Sequence, residues 1–305
     1  MSHKHTRAGE PTRSDGAQLT LERTRIAIPG NRRRHVSHEL AVTDALDFWG
    51  FAGAAANVAM QMMNPGVGHG VVESTVESGA LMKRPWKRAR TTTQYLAVAV
   101  LGSDAERAAY REAVNVAHRQ VKSQPGAAVK YNAFDRNLQL WVAACLFVGF
   151  EDAYQLLNGK LPAHQAESFY QSCATLGTTL QVPREMWPAT RAEFDEYWVR
   201  ACGETSLDEP VAAYLDDLLN LRMINPPMRL VFGGLLKFLT AGSLAPYFRE
   251  QMGVRWSAAD QRRFDNLFLF VGFVNRFVPR FLRFGPTHAL MLDLRHRIAA
   301  EKPLI

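Results

Sequence analysis

A chain of 305 residues, 47% hydrophobic and 21% charged, is long enough to bury a sizeable core and too apolar for a disordered polyelectrolyte. Its net charge of +7 allows an acidic partner, but much of the excess lies in the first 34 residues around Arg32-Arg33-Arg34, so the charge specifies no nucleic acid. Three cysteines, Cys145, Cys173 and Cys202, form no Cys-x-x-Cys pair, which argues against a disulfide framework and covalently attached haem; they read as small core hydrophobes of a reducing, cytoplasmic protein.

Residues 1–36 are polar and basic, without a steady apolar period. They read as a tail that either wraps the domain or stays disordered, and they lack the apolar core of a signal peptide. Ser37 is a candidate cap for a long helix through about Met63, broken by Asn64-Pro65-Gly66. Gly66, Gly68 and Gly70 then surround His69; such small residues admit either another helix or a flat cofactor. Pro85 suits a first helical position and Gly102 the end of that helix, while Ser103 and Glu106 form a capping box for the next. Gln124-Pro125-Gly126 makes a turn, and Asp135 caps a helix through about Leu157 whose centre, Leu140 to Phe150, is apolar nearly all round and should be the core helix.

Further on, a helix is expected from Pro162 to about Leu180. Boxes at Thr190/Glu193 and Ser206/Glu209 open two more, and Pro226-Pro227 precedes an apolar helix near Met228–Leu239. Ser257 opens a helix to about Arg276, Pro279 breaks the chain, and Pro286 starts the last helix, through about Ala300. Strand alternation is almost absent. The pattern predicts one all-α domain over 37–305 with roughly ten helices. No uncharged apolar run reaches the roughly 18 residues that cross a bilayer: Arg229 and Lys237 interrupt one candidate, Arg276 and Arg280 another. The Phe-rich stretch from Phe264 to Phe284 has helical spacing and reads as core; its interleaved Arg276, Arg280 and Arg283 would otherwise meet haem propionates or rest on a membrane surface.

The residues with most chemical content lie between Arg84 and Lys122. Arg88 and Thr92 are four apart and share a helix face. On the following helix Tyr110, Val114, Ala117 and Val121 form an apolar stripe that includes His118. A histidine there is commonly a satisfied core side chain; with an Arg/Thr pair on the neighbouring helix it also meets the needs of a haem pocket. His-Glu-x-x-His, Gly-x-Ser-x-Gly and Glu-x-x-His patterns are missing.

The ordered pieces Asn64-Pro65-Gly66-Val67, Glu77-Ser78, Arg88-Ala89-Arg90-Thr91-Thr92, Val100-Leu101-Gly102, Ala117-His118-Arg119-Gln120-Val121, Tyr131-Asn132-Ala133 and Leu140-Trp141-Val142 resemble the MpaB/rubber oxygenase (latex-clearing protein) family. The likeness covers about residues 40–300, fades in the middle, and returns at Leu239–Pro246 and Gly253-Val254-Arg255-Trp256. It implies a globin-like helical core around a haem b pocket, with His118 as the axial iron ligand. Arg88 would pair with a propionate or stabilise a developing oxygen anion, with Thr92 beside it; the plain reading of Arg88 is a surface charge at a basic helix start. Many members carry His-Ser where this chain has Glu77-Ser78, so the base near dioxygen stays open between Glu73 and Glu77. His69 would either hydrogen-bond bound oxygen or ligate the iron and block it. The implied activity is haem-dependent oxygenation of a hydrophobic, isoprenoid-like or lipid substrate with dioxygen, including C=C cleavage. The alternative is a non-catalytic haem or lipid binding protein, which bis-histidine ligation by His69 and His118 would mark.

Overall fold

The computed structural model describes residues 21–30, 38–76 and 79–305, and among these the architecture is all-helical, with one isolated antiparallel bridge between Lys122 and Asn132. Ala54–Met62, Ala258–Asn275, the turn Thr175–Thr178 and the segments Val42–Ala45 and Phe48–Gly53 are laid against the central element, the helix Arg136–Asn158. Asp135 starts it by accepting from the amides of Asn137 and Leu138 at 2.8 and 3.2 Å, and Gly159, at φ 88°, ends it. It is long and apolar enough to cross a membrane by length and composition, but 72% of its apolar window is buried inside the fold, so its hydrophobicity is spent on the core.

Two close approaches set the packing around this helix. The helix Ala54–Met62 crosses at Gly149, where an added Cβ would lie 2.4 Å from the Asn57 amide nitrogen. Asn57 donates to the Cys145 carbonyl at 2.6 Å. The helix Ala258–Asn275 crosses at Gly272, where a Cβ would lie 2.5 Å from the Leu157 carbonyl oxygen. Between these crossings the core is aromatic. Trp141 stacks on Trp198 at 5.3 Å, and Phe147, Tyr170, Trp187 and Phe194 make a buried cluster. The three cysteines are buried and unpaired.

Two acids on the core helix face inward. Glu151 and Asp152 are buried and meet Arg25, and Glu151 also meets Arg191. The Arg25–Asp152 distance is 2.8 Å. Residues 21–30, which belong to the stretch read as a tail, therefore lie against the domain. Thr24 is fully buried, and Ile26 and Ile28 pack on the core clusters.

The boundaries differ from the sequence pattern in three places. The single helix expected from Ser37 to Met63 is instead two 3-10 segments, Val42–Ala45 and Phe48–Gly53, followed by Ala54–Met62. Asp47 explains the break: it caps Trp49 and is drawn to Asn275 at 2.7 Å and Arg283 at 3.0 Å, which an unbroken helix would not permit. The expected Pro162–Leu180 helix stops at Ser172 and resumes for one turn at Thr175–Thr178. Asp208, not Ser206, caps the helix Glu209–Leu219. There are thus more helical segments than the roughly ten that periodicity suggests, because several are single turns.

Candidate functional site

Arg88 and Thr92 sit on the helix Pro85–Leu101, and His118 is the last residue of Asp104–His118. Gly102 turns the chain between them, and Ser103 and Glu106 close a reciprocal capping box, 2.7 and 3.3 Å. The buried Tyr110 hydroxyl donates to the Thr91 carbonyl at 2.6 Å, which locks the two helices in register. From outside, the last helix, Gly285–Ala299, clamps the first: Gln94 donates to the Leu290 carbonyl at 2.9 Å and to Asp293 at 3.0 Å.

His118 is half-buried and meets Phe134 edge-on at 6.3 Å. Its Nδ1 is buried and has no hydrogen-bond partner. Burial, and then the charge of Arg88, push its pKa down to about 4, so the ring is neutral at pH 7. Arg88 is exposed, yet desolvation by nearby protein groups holds its pKa below the ordinary value. Tyr214 and Tyr110 lie in its electrostatic reach, and its Nη1 would lie 3.9 Å from a Cβ at Gly79. Among the described residues no carboxylate pairs with Arg88. Thr91 and Thr93 return their hydroxyls to the Arg88 and Ala89 carbonyls at 3.1 and 2.8 Å. Thr92, half-buried between them, makes no side-chain hydrogen bond among the described residues.

A second cluster is centred on His69. His69, on the helix Pro65–Val72, is bound at both ring nitrogens: Nδ1 to Glu73 and Nε2 to Asp208, each 2.6 Å. Tyr131 donates to the other Glu73 oxygen at 2.9 Å. Hydrogen bonds to Glu73 and then Asp208 raise the His69 pKa, while both carboxyls are held below their usual values, chiefly by His69. The ring is an imidazolium with both N–H groups donating, so in this arrangement it offers no lone pair to a metal. Gly70 makes room for the Tyr131 ring, 3.4 Å from a would-be Cβ; Gly68 admits Val211, and Gly66 admits Leu138. These glycines therefore serve the approach of protein groups.

Of the sequence candidates, then, His118, Arg88 and Thr92 come together, while His69 and Glu73 form their own ion cluster; Glu77 lies outside the described residues. Tyr131, Asp208 and Tyr214 were not anticipated. Asp208 had a local signal, standing two residues before Pro210 at a helix start, but its bond to His69 spans 139 positions and has none. Two of the pockets among the described residues lie elsewhere. One of about 260 Å³ is lined by Asp44, Asp47, Tyr154, Arg280 and Arg283, and one of about 360 Å³ by Phe51, Arg90, Thr93 and Leu290; neither is lined by His118, Arg88 or Thr92. No three His, Cys, Asp or Glu side chains among the described residues are placed to hold a metal together.

Residues 44–273 match the family described as ER-bound oxygenase mpaB/B'/Rubber oxygenase, catalytic domain. The chain belongs to this family. Two relatives, the uncharacterized proteins Mb2261 of Mycobacterium bovis and Rv2237 of Mycobacterium tuberculosis, are each 47% identical over 243 residues, covering 80% of this chain and 95% of theirs. No solved structure matches it. Membership in the mpaB/rubber oxygenase family identifies an oxygenase-type catalytic domain, and both the arginine-bearing helix and the helix ending at His118 fall inside the matched span.

Proposed function

We propose that the protein is a haem b-dependent oxygenase acting with dioxygen on a hydrophobic, isoprenoid-like or lipid substrate, with His118 as the axial iron ligand. The observation that carries this reading is a neutral imidazole with a buried, partnerless Nδ1, in the electrostatic reach of Arg88, which pairs with no carboxylate among the described residues. An orphaned buried nitrogen is unfavourable alone, and the neutral ring keeps a lone pair. Haem would take that ring as a ligand and offer a propionate to the Arg88 guanidinium.

Bound haem would supply the redox-active iron at which dioxygen is reduced while a substrate C=C bond is oxidised. The chain's own residues do the rest. Burial keeps His118 unprotonated down to about pH 4, so its lone pair is available throughout the physiological range. Arg88 would hold a propionate, and Thr92, unbonded through its side chain among the described residues, would keep a hydroxyl to donate. Glu73 is committed to His69 and Tyr131, which weakens it as the carboxylate for proton handling relative to Glu77. His69, tied at both nitrogens, is not free to serve as a second iron ligand in this arrangement.

The test is haem loading. The purified protein should show a Soret band at one haem per chain. His118→Ala should lose it while keeping the helical circular dichroism spectrum, and Arg88→Ala should load more weakly. A folded His118→Ala variant that keeps its full haem complement removes the basis of this reading. Turnover would be read as carbonyl products from an isoprenoid chain.

A further inference from the structure

The site above leaves the largest exposed aromatic feature unused. The helix Ala258–Asn275 ends with Phe270 and Phe273 turned outward, and the chain continues through Phe277 and Phe281, each 73% exposed, and Leu282. Phe273 and Phe277 meet at 5.3 Å at the centre of this exposed aromatic ridge. The ridge is rigidly seated: Asn275 is buried and donates to Asp47 at 2.7 Å, and Arg283 holds the same carboxylate at 3.0 Å. Between the phenylalanines stand the exposed cations Arg276 and Arg280; Arg280 reaches Asp44 only at 3.5 Å. No acidic residue occurs in the sequence between Asp265 and Asp293.

An exposed apolar cluster of this size in one stretch needs a cover in its working state. The segments 1–20 and 31–37 are polar and basic in sequence, a composition unlike an apolar partner's. A second copy of the chain, docked two-fold through this ridge, would set Arg276 and Arg280 against themselves with no acid in the stretch to balance them. An anionic bilayer surface satisfies both halves of the ridge at once: rings enter the headgroup–acyl boundary and guanidiniums rest on phosphates. We propose that the ridge Phe270–Leu282 docks this protein peripherally on anionic membranes, with Phe277 and Phe281 inserted and Arg276 and Arg280 on lipid headgroups. The proposal does not depend on the haem reading.

A second exposed apolar element, Met228 to Leu235 at the start of the helix Pro226–Ser243, provides the control. The full-length protein is mixed with phosphatidylcholine vesicles, with or without phosphatidylglycerol, and bound protein is measured by flotation; self-association is followed by sedimentation velocity. Binding should be at least tenfold tighter with phosphatidylglycerol and should weaken as salt rises. Phe277→Ser/Phe281→Ser and Arg276→Gln/Arg280→Gln should each weaken it at least tenfold. The melting temperature should not change for the phenylalanine pair, whose rings are already exposed. Three results would overturn the proposal: no preference for anionic vesicles, binding lost only in Leu230→Ser/Val231→Ser, or self-association that the phenylalanine variant abolishes, which would make the ridge an interface between copies.

Discussion

His118 and His69 are the same side chain driven to opposite charge states. Around His118 there is burial, a nearby cation and no acceptor, and the ring is neutral with a pKa of about 4. Around His69 there are two carboxylates at 2.6 Å, and the ring is held as a cation. The second arrangement has a stability signature. A raised imidazole pKa adds stability that is complete below the unfolded value of about 6.5 and is lost as pH rises through the folded value; lowered carboxyl values add stability that is lost as pH falls through them. His69→Gln should therefore cost most in the mildly acidic range, with the gap to the parent closing as pH rises. Glu73 and Asp208 side chains are 40% and 47% exposed, so solvent screening keeps the loss at the low end, about 1–2 kcal/mol. Chemical denaturation of both proteins from pH 5 to 9 would measure it. Glu151 is 2% exposed between Arg25 and Arg191, and screening does not protect it. Glu151→Gln leaves two half-buried guanidiniums, each with one remaining carboxylate, short of charge and should destabilise by about 2–4 kcal/mol in the same assay.

At the scale of elements, what could be read from the pattern depended on whether a helix is started and stopped by its own neighbours. Asp135, Ser103 with Glu106, and Ser257 with Asp260 all cap as the sequence suggests, because a cap is a bond across two or three residues. The stretch 38–53 misled because Asp47 answers to Asn275 and Arg283, more than two hundred positions away. The candidate site divides likewise. The Arg88/Thr92 face follows from helical spacing, whereas a role for His118 came from family likeness and the Asp208–His69 contact from neither. Close helix crossings are equally invisible to periodicity: nothing local distinguishes Gly272 from a weak helix position. A Cβ there would lie 2.5 Å from the Leu157 carbonyl oxygen, a backbone atom that cannot rotate away. Gly272→Ala, normally a gain in helix propensity, should instead lower stability by about 1–3 kcal/mol, seen as a shifted denaturation midpoint at constant slope.

Across the whole molecule, the two helices that carry Arg88 and His118 pack on each other and are held from outside by the chain's last helix. Gln94 and Arg90 both reach Asp293, and Arg295 bonds Glu106 at 2.7 Å. Contacts this far apart in sequence make the site a property of the complete fold. Asp293→Ala should therefore loosen the pair, and amide exchange along Pro85–Leu101 should rise more than along Arg191–Gly203, on the far side of the core.

The seating of Arg25 bears on how this protein should be handled at the bench. Sequence patterning invites trimming at Ser37, where the helical region is expected to begin. Such a shortened chain would discard the cation that reaches both Glu151 and Asp152 and leave two adjacent acids buried with Arg191 alone to answer them. It should melt on the order of 10 °C lower than the full chain and partly recover when acid protonates the stranded pair. The opening segment is thus an internal counter-ion delivered from outside the helical bundle.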